Sequence, residues 1–371
     1  MAENFLINYH HIGGRGGKFP INIPGVLRDG VHLTMYDADE DCVDEAKNSS
    51  FVSGFNKVDI FPFCISDQNS VEDFIITKQP HASSLLESNP EVYPYIRNSS
   101  KFGAMRLQEI LEPHKIIRLE TRKLSSVLSK IEGSDPDFIS LDTQGNEYDI
   151  ILSSKEIYEK ALLINAEVSF VEMYKDQKTF PEIHNLMMGL GFILVDLKLY
   201  DPHHSCPTPV DFEGKGFLLD GEAFYIKRPD LERWAFGKLV KYFFAAVLCE
   251  QAHLCIRAFD ALKARFPLEL DRLDQRFQYL KLIKDFCDAY QQSYKAYLPM
   301  FHESQAYKNY HLGKNESLSS GHKSSGEIDV IALRQNQYAQ VLLKYGLSAF
   351  AEKIENQRRI NIQSIDLISK Q

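Results

Sequence analysis

The sequence predicts an α/β protein. Its expected fold is a doubly wound, mostly parallel seven-stranded sheet over residues 1–228, followed by an all-α C-terminal domain over 229–371. Seven short runs rich in β-branched and aromatic residues recur before residue 228. Helix-like segments separate several of them, and after Pro229 the apolar residues change to helical spacing. Alternating strands and helices build a parallel sheet covered on both faces, because each crossover helix packs back on the sheet.

The elements follow in order. "FLINYHHI" (5–12), "VHLTMYD" (31–37) and "KVDIFPFCIS" (57–66) read as the first three strands. "DFISLDT" (137–143) is the fourth, with a helix at "NEYDIILSS" (146–154). "LLINAEVSF" (162–170) is the fifth, and "PEIHNLMMGLG" (181–191) is a helix closed by a C-cap glycine. "FILVDL" (192–197) and "EAFYIKR" (222–228) complete the set. Beyond it, "LERWAFGKLVKYFFAAVLCEQAHLCIRAFDALKARF" places Phe236, Leu239, Val240, Phe243, Val247 and Leu248 at helical spacing, with Trp234 as a core residue. A second helical run follows from about 268 to 297. "HLGKNESLSSGHKSSGE" (311–327) reads as a linker, and residues 328–357 as one final helix.

Composition narrows the function. Hydrophobic residues make up 44% of the chain, enough for a packed core. A net charge of −9 argues against broad phosphate-backbone binding, so no nucleic-acid partner is expected. The six cysteines form no C-x-x-C, which fits a reduced, cytoplasmic setting. The amino terminus has no secretory-signal pattern. "LVKYFFAAVL" (239–248) is shorter than the roughly 20 residues a spanning helix needs, so no transmembrane segment is expected and the run reads as a buried helix.

The first strand runs into "HHIGGRGG" (10–17), where Gly13, Gly14, Gly16 and Gly17 surround Arg15. Glycines after a first strand let a ligand approach the main chain beyond the carboxyl ends of the strands. The loop is neither a P-loop nor a G-x-G-x-x-G turn, and a tight turn without a ligand is the plain alternative. "MYDADEDC" (35–42) ends the second strand with Asp37 and Asp39. A carboxylate there can accept both hydroxyl hydrogen bonds of a ribose, or can simply be a solvated acidic turn. Loop and acid together suggest an adenosine-containing ligand.

The middle of the chain is more specific. "PDFISLDTQGNEYDIIL" (136–152) contains Asp142-Thr143-Gln144-Gly145 and Glu147. "INAEVSFVEMYKDQKTFPEIHNLMMGLGFILVDL" (164–197) contains Glu167-Val168-Ser169-Phe170 and Met173-Tyr174. These elements, with "FCISDQNSVEDF" (63–74) and "HASSLLESNP" (81–90), resemble the FkbM-type methyltransferases over residues 5–228. The resemblance implies a Rossmann-like methyltransferase domain, S-adenosylmethionine as cofactor, and methyl transfer to an oxygen of a glycan, polyketide or other small metabolite. His11 stands where that family usually carries an acidic residue ahead of its first glycine pair.

On that basis Gly13, Gly14, Arg15, Gly16 and Gly17 are expected to shape the cofactor's amino-acid end, and Asp37 to hold its ribose, with Asp39 as substitute. Ser66 and Asp67 are expected beside the adenine. Asp142 and Glu167, at neighbouring strand ends, are the catalytic candidates. Such a pair can bind a divalent ion through oxygen, serve as base, or merely cap the following helix or pair with a basic residue. Glu147 reads as a helix N-terminal acid. "YDPHHSCPTPVDF" (200–212) offers His204 as a general base, with His203 beside it, though an ordinary surface loop is the plainer reading; His203, His204 and Cys206 are too close together for a standard metal site. His81 is a weaker candidate base. The C-terminal helices could serve as lid, partner dock or homo-oligomer surface. A catalytically inactive binding or scaffold protein is the alternative function, and a dinucleotide oxidoreductase a third.

Overall fold

The computed structural model describes residues 5–13, 20–38, 50–95, 107–131, 135–199, 218–303 and 325–368. The chain forms two compact units. The first, residues 1–23 and 30–251, carries the sheet. Its elements are β1 (Ile7–Gly13), β2 (Val31–Tyr36), β3 (Lys57–Phe61), β4 (Cys64–Ile65), β5 (Ser70–Thr77), α1 (Leu107–Leu111), β6 (Pro113–Arg122) and α2 (Leu124–Leu128). They continue with β7 (Phe138–Asp142), α3 (Glu147–Ser153), α4 (Lys155–Tyr158), β8 (Leu163–Ser169), α5 (Phe180–Gly189), β9 (Phe192–Leu199), β10 (Asp220–Lys227) and α6 (Phe236–Leu248).

Seven strands join in the order β3-β2-β1-β7-β8-β10-β9. All neighbours run parallel except β10, which is antiparallel to both β8 and β9. The chain builds outward from β1 to β2 and β3, then returns to β1's other side with β7. The gap between β1 and β7 is therefore the topological switch point, where open α/β sheets bind ligands beyond their strand ends.

Residue alternation sorts the two faces. On one, Ile12, Ile139, Leu141, Ile164, Ala166 and Tyr225 form a core with Leu124, Ile150, Ile183 and Met187 from the covering helices. The other face carries Tyr9, His11, Phe138 and Ser140. Phe244 of α6 packs against Phe138 at 6.1 Å, and Lys241 of α6 pairs with Asp137 at 2.7 Å. The composition changes at 229, but the compact units part after Gln251, because α6 is buried against its own sheet.

Two expectations about strands change. The run 57–66 is two strands, β3 and β4, in different sheets. Pro62 lies between them and has no N–H to continue a ladder. A second, three-stranded sheet, β4-β6-β5, is inserted between β3 and β7, and neither β5 nor β6 was expected. α5 begins as the sequence implies: the Thr179 N–H and hydroxyl donate to Glu182 at 3.1 and 2.8 Å, and Pro181 sits in the first turn. Gly191, at φ +81°, follows its end.

The second unit comprises residues 24–29 and 252–371. Its helices are α7 (Ala252–Arg265), α8 (Pro267–Asp271), α9 (Gln278–Glu303), α10 (Ser325–Lys344) and α11 (Ser348–Ile368). The expected final helix is therefore two, parted at Gly346, whose φ of +74° is left-handed. The core stacks Phe286 on Tyr338 at 4.7 Å and sets Phe259 edge-on to Phe286 at 6.2 Å. The Asp29 carboxylate accepts the Gln278 N–H at 3.1 Å, satisfying an otherwise unpaired donor at the start of α9. Most of the expected 311–327 linker lies outside the described residues.

Candidate active site

At the switch point β1 ends in Gly13 and β7 in Asp142, directly paired. Gly13 has φ +75°, and a Cβ there would overlap the Asp142 carbonyl oxygen. Only glycine lets the chain turn off β1 here. Two residues back, His11 is buried and its Nδ1 lies 2.6 Å from Ser140 Oγ, which also contacts the Tyr9 hydroxyl at 2.8 Å. His11 is thus bonded within the sheet face below the strand ends.

Asp37 follows β2, its N–H donating to the Phe61 carbonyl at 3.2 Å. Its charge reaches Cys64 in β4, where burial, with Glu72 and then Asp37, pushes the thiol up to about 12. Ser66 follows β4 and is buried. Its N–H donates to the Arg122 carbonyl at 3.0 Å and its hydroxyl to Asp67 at 3.0 Å. Asp67 in turn faces Asp149 of α3, whose carboxyl is raised by burial and then by Asp67. The expected ribose and adenine residues therefore gather along the strand ends beside β1, though Ser66 and Asp67 close β4 rather than β3.

Asp142 and Glu167 meet through one side chain. The Gln144 amide nitrogen donates to Asp142 Oδ1 at 2.6 Å and to Glu167 Oε2 at 2.8 Å. Glu167 pairs across β10 with Glu222. Its carboxyl is held well above the usual range by burial, and then by the charges of Asp142, Glu147, Asp220 and Glu222. Glu147 has the structural role expected of it. Its buried carboxylate accepts the Thr143 N–H at 2.7 Å, the Thr143 hydroxyl at 3.0 Å and the Gly145 N–H at 3.1 Å, closing the loop ahead of α3.

A strap crosses this corner. The Ser84 hydroxyl donates to the Gln144 carbonyl at 2.7 Å, and the Asn89 N–H to the Met173 carbonyl at 2.8 Å. The Tyr174 hydroxyl lies 2.9 Å from the Ala82 carbonyl and 3.1 Å from Gln144 Oε1, sharing its one hydrogen. The segment after β5 thus fastens the loop after β7 to the loop after β8. His81, beside it, is exposed.

Residues 48–194 match the family model described as the methyltransferase FkbM domain. The FkbM match takes in Ser66, Asp67, Asp142, Gln144, Glu147, Glu167 and Tyr174. Gly13, Asp37, all of β10 and most of β9 lie outside it. No curated protein and no solved structure matches the chain.

Gly14, Arg15, Gly16, Gly17, Asp39, His203, His204 and Cys206 lie outside the described residues. Among the described residues, no three His, Cys, Asp or Glu side chains gather into a group that could hold a metal. Sequence reasoning gave no role to Gln144, Tyr174 or Glu222. The first two stood inside the recognised motifs, but only the folded loops bring them onto the acid pair. Glu222 reaches it because β10 inserts between β8 and β9.

Proposed function

We propose that the protein is an S-adenosylmethionine-dependent O-methyltransferase acting on a hydroxyl of a glycan or other small metabolite. The observation that carries the reading is the acid pair Asp142–Glu167 beside a bare glycine turn at the switch point, within and next to the FkbM match. The residues present fit the cofactor. The turn at Gly13 keeps a side chain away from the ligand's path, Asp37 offers a ribose-binding carboxylate, and the acid pair complements a cation. Gly14, Arg15, Gly16 and Gly17 belong to the same cradle in this reading.

When bound, S-adenosylmethionine supplies an electrophilic methyl on a sulfonium sulfur, which departs as a thioether with the bonding pair. The chain's own work is alignment and proton removal. Glu167 is the preferred base for the acceptor hydroxyl, because its raised carboxyl binds a proton more tightly than an ordinary glutamate. Asp142, nearer the turn, stays available to the positive charge. His204 is the alternative base.

The four described free cysteines support a reducing, cytoplasmic setting, and no described helix is long and apolar enough to cross a membrane.

Calorimetric titration of the purified chain with S-adenosylhomocysteine, and separately with NAD, tests it. Binding of the first alone is expected. Binding of neither would leave the scaffold alternative.

A further inference from the structure

At the outer strand β3, a cavity of about 740 Å³ lies between α2 and the small sheet, a volume ordinary for a small-molecule site. Phe61 and Phe63 form one wall, and Val71, Val127 and Ile131 extend its apolar surface. The wall is braced from behind. Tyr36, Phe61 and Phe63 stack in sequence, with 5.9 and then 5.4 Å between ring centroids. The Arg122 guanidinium caps the stack, 4.1 Å from the centre of the Phe63 ring. Val71, though apolar, is left 52% exposed.

The polar groups of the lining fall into two sets. The neutral ones are occupied by their neighbours. The Ser70 and Thr121 hydroxyls both donate to Glu72 Oε1 at 2.6 Å, and the Asn69 amide donates to Ser126 Oγ at 2.9 Å. The cations are held less firmly. Arg122 meets the exposed Glu120 carboxylate at 3.3 Å. The Lys130 side chain makes no hydrogen bond or ion pair among the described residues. What the cavity leaves for a ligand is chiefly apolar surface beside two cations.

The cavity is not the acid-pair site. Ser125 of α2 bonds Ser154, between α3 and α4, at 3.2 Å, while its neighbour Ser126 lines the cavity. Asp142 and Glu167 are not among the lining residues, nor are Asp37, Ser66 and Asp67.

We propose that this cavity is a second ligand site, and that its ligand is an organic anion with an aromatic body and one acidic head group. The body packs on Phe61 and Phe63, where it removes apolar surface from water. The head group, a carboxylate, sulfonate or phosphate, meets Arg122 and Lys130. Glu120 shows that an anion fits against Arg122, and a pair so exposed on the rim is readily exchanged. The proposal does not depend on the methyltransferase reading. Because the Arg122 carbonyl also accepts the N–H of Ser66, S-adenosylhomocysteine enters the test as a competitor.

The probes are 8-anilinonaphthalene-1-sulfonate, an aromatic anion, and N-phenyl-1-naphthylamine, the same ring system without the sulfonate. Each is titrated into the full chain by fluorescence and calorimetry. The sulfonate should fill a saturable site on the parent. Lys130→Glu alters an exposed side chain without a partner, so the fold does not rest on it. Arg122→Met keeps the apolar stem over Phe63 and removes the charge. Each should weaken the sulfonate by roughly 5- to 10-fold and leave the neutral amine unchanged. Ser126→Trp puts a large ring into the cavity and should abolish binding of both probes there. Excess S-adenosylhomocysteine should leave the sulfonate bound. Displacement by S-adenosylhomocysteine, equal weakening of the two probes by Lys130→Glu, sulfonate binding that no variant alters, or no saturable binding to the parent overturns the proposal.

Discussion

Gly13 and Asp142 face each other across the β1–β7 pairing, so closely that the aspartate's carbonyl fills the place where any side chain on residue 13 would start. The obstacle is main chain, which cannot rotate away, and the φ of +75° adds its own penalty. Gly13→Ala should therefore part the two strand ends at the candidate cofactor turn. We expect a loss of about 3 kcal/mol in urea unfolding, larger than an ordinary Gly→Ala change, together with loss of S-adenosylhomocysteine binding in calorimetry. A variant of parental stability would show that the turn relaxes freely.

Asp37 gives a narrower prediction, because its carboxylate is only half-buried and its backbone bond to Phe61 does not depend on its side chain. Asp37→Ala should weaken S-adenosylhomocysteine by roughly 10- to 100-fold, the scale of hydrogen bonds to a charged group. Unchanged affinity in calorimetry would remove Asp37 from the site.

Much of this was legible beforehand, and the limits have physical causes. The sheet strands and α5 could be read because their periodicity is strong and their ends carry glycine, proline or a capping pair. The small sheet was missed because β6 is exposed along most of its length, so burial imposes no clear pattern on it. Asp142 and Glu167 were legible as strand-end acids. Their bridge was not, since Gln144 reaches both only from a left-handed backbone that no residue type announces. Glu222 came from a strand whose place in the sheet order the sequence does not state.

Glu167 links function to stability. Its carboxyl is raised by burial and by neighbouring acids, so the native state holds its proton more tightly than the unfolded chain does. Its contribution is thus fully favourable below the unfolded value near 4.3, and is lost as pH rises through the raised native one. Glu167→Gln removes that loss while its side-chain oxygen can still accept from Gln144. Thermal unfolding should show the variant more stable than the parent at pH 8, by about 1 kcal/mol, with the gap closing toward pH 4. Methyl transfer should fall sharply. A parent as stable as the variant at pH 8 would show that Glu167 is not burdened by its surroundings.

The pair Asp137–Lys241 makes the opposite case, a buried charge that depends on its partner. Lys241 Nζ lies 2.7 Å from Asp137, and the two side chains are only 15% and 17% exposed. The aspartate also accepts the Asn8 N–H at 2.9 Å, so it ties α6 to the starts of β1 and β7. Burial raises its carboxyl even with the lysine beside it. Lys241→Met keeps the length and apolar stem of the side chain but strands the carboxylate. At pH 8 this should cost about 3–5 kcal/mol in urea unfolding. Without the lysine the native carboxyl rises further, so stability falls over a wider span as pH increases, and the deficit against the parent should shrink between pH 8 and pH 5. Adding Asp137→Asn to Lys241→Met removes the orphaned charge while an amide oxygen can still accept from Asn8. The double variant should recover most of the loss and lose its pH dependence. A deficit equal at both pH values, or a double variant no better than Lys241→Met, would mean that packing around α6 rather than the charge pair holds this side of the sheet.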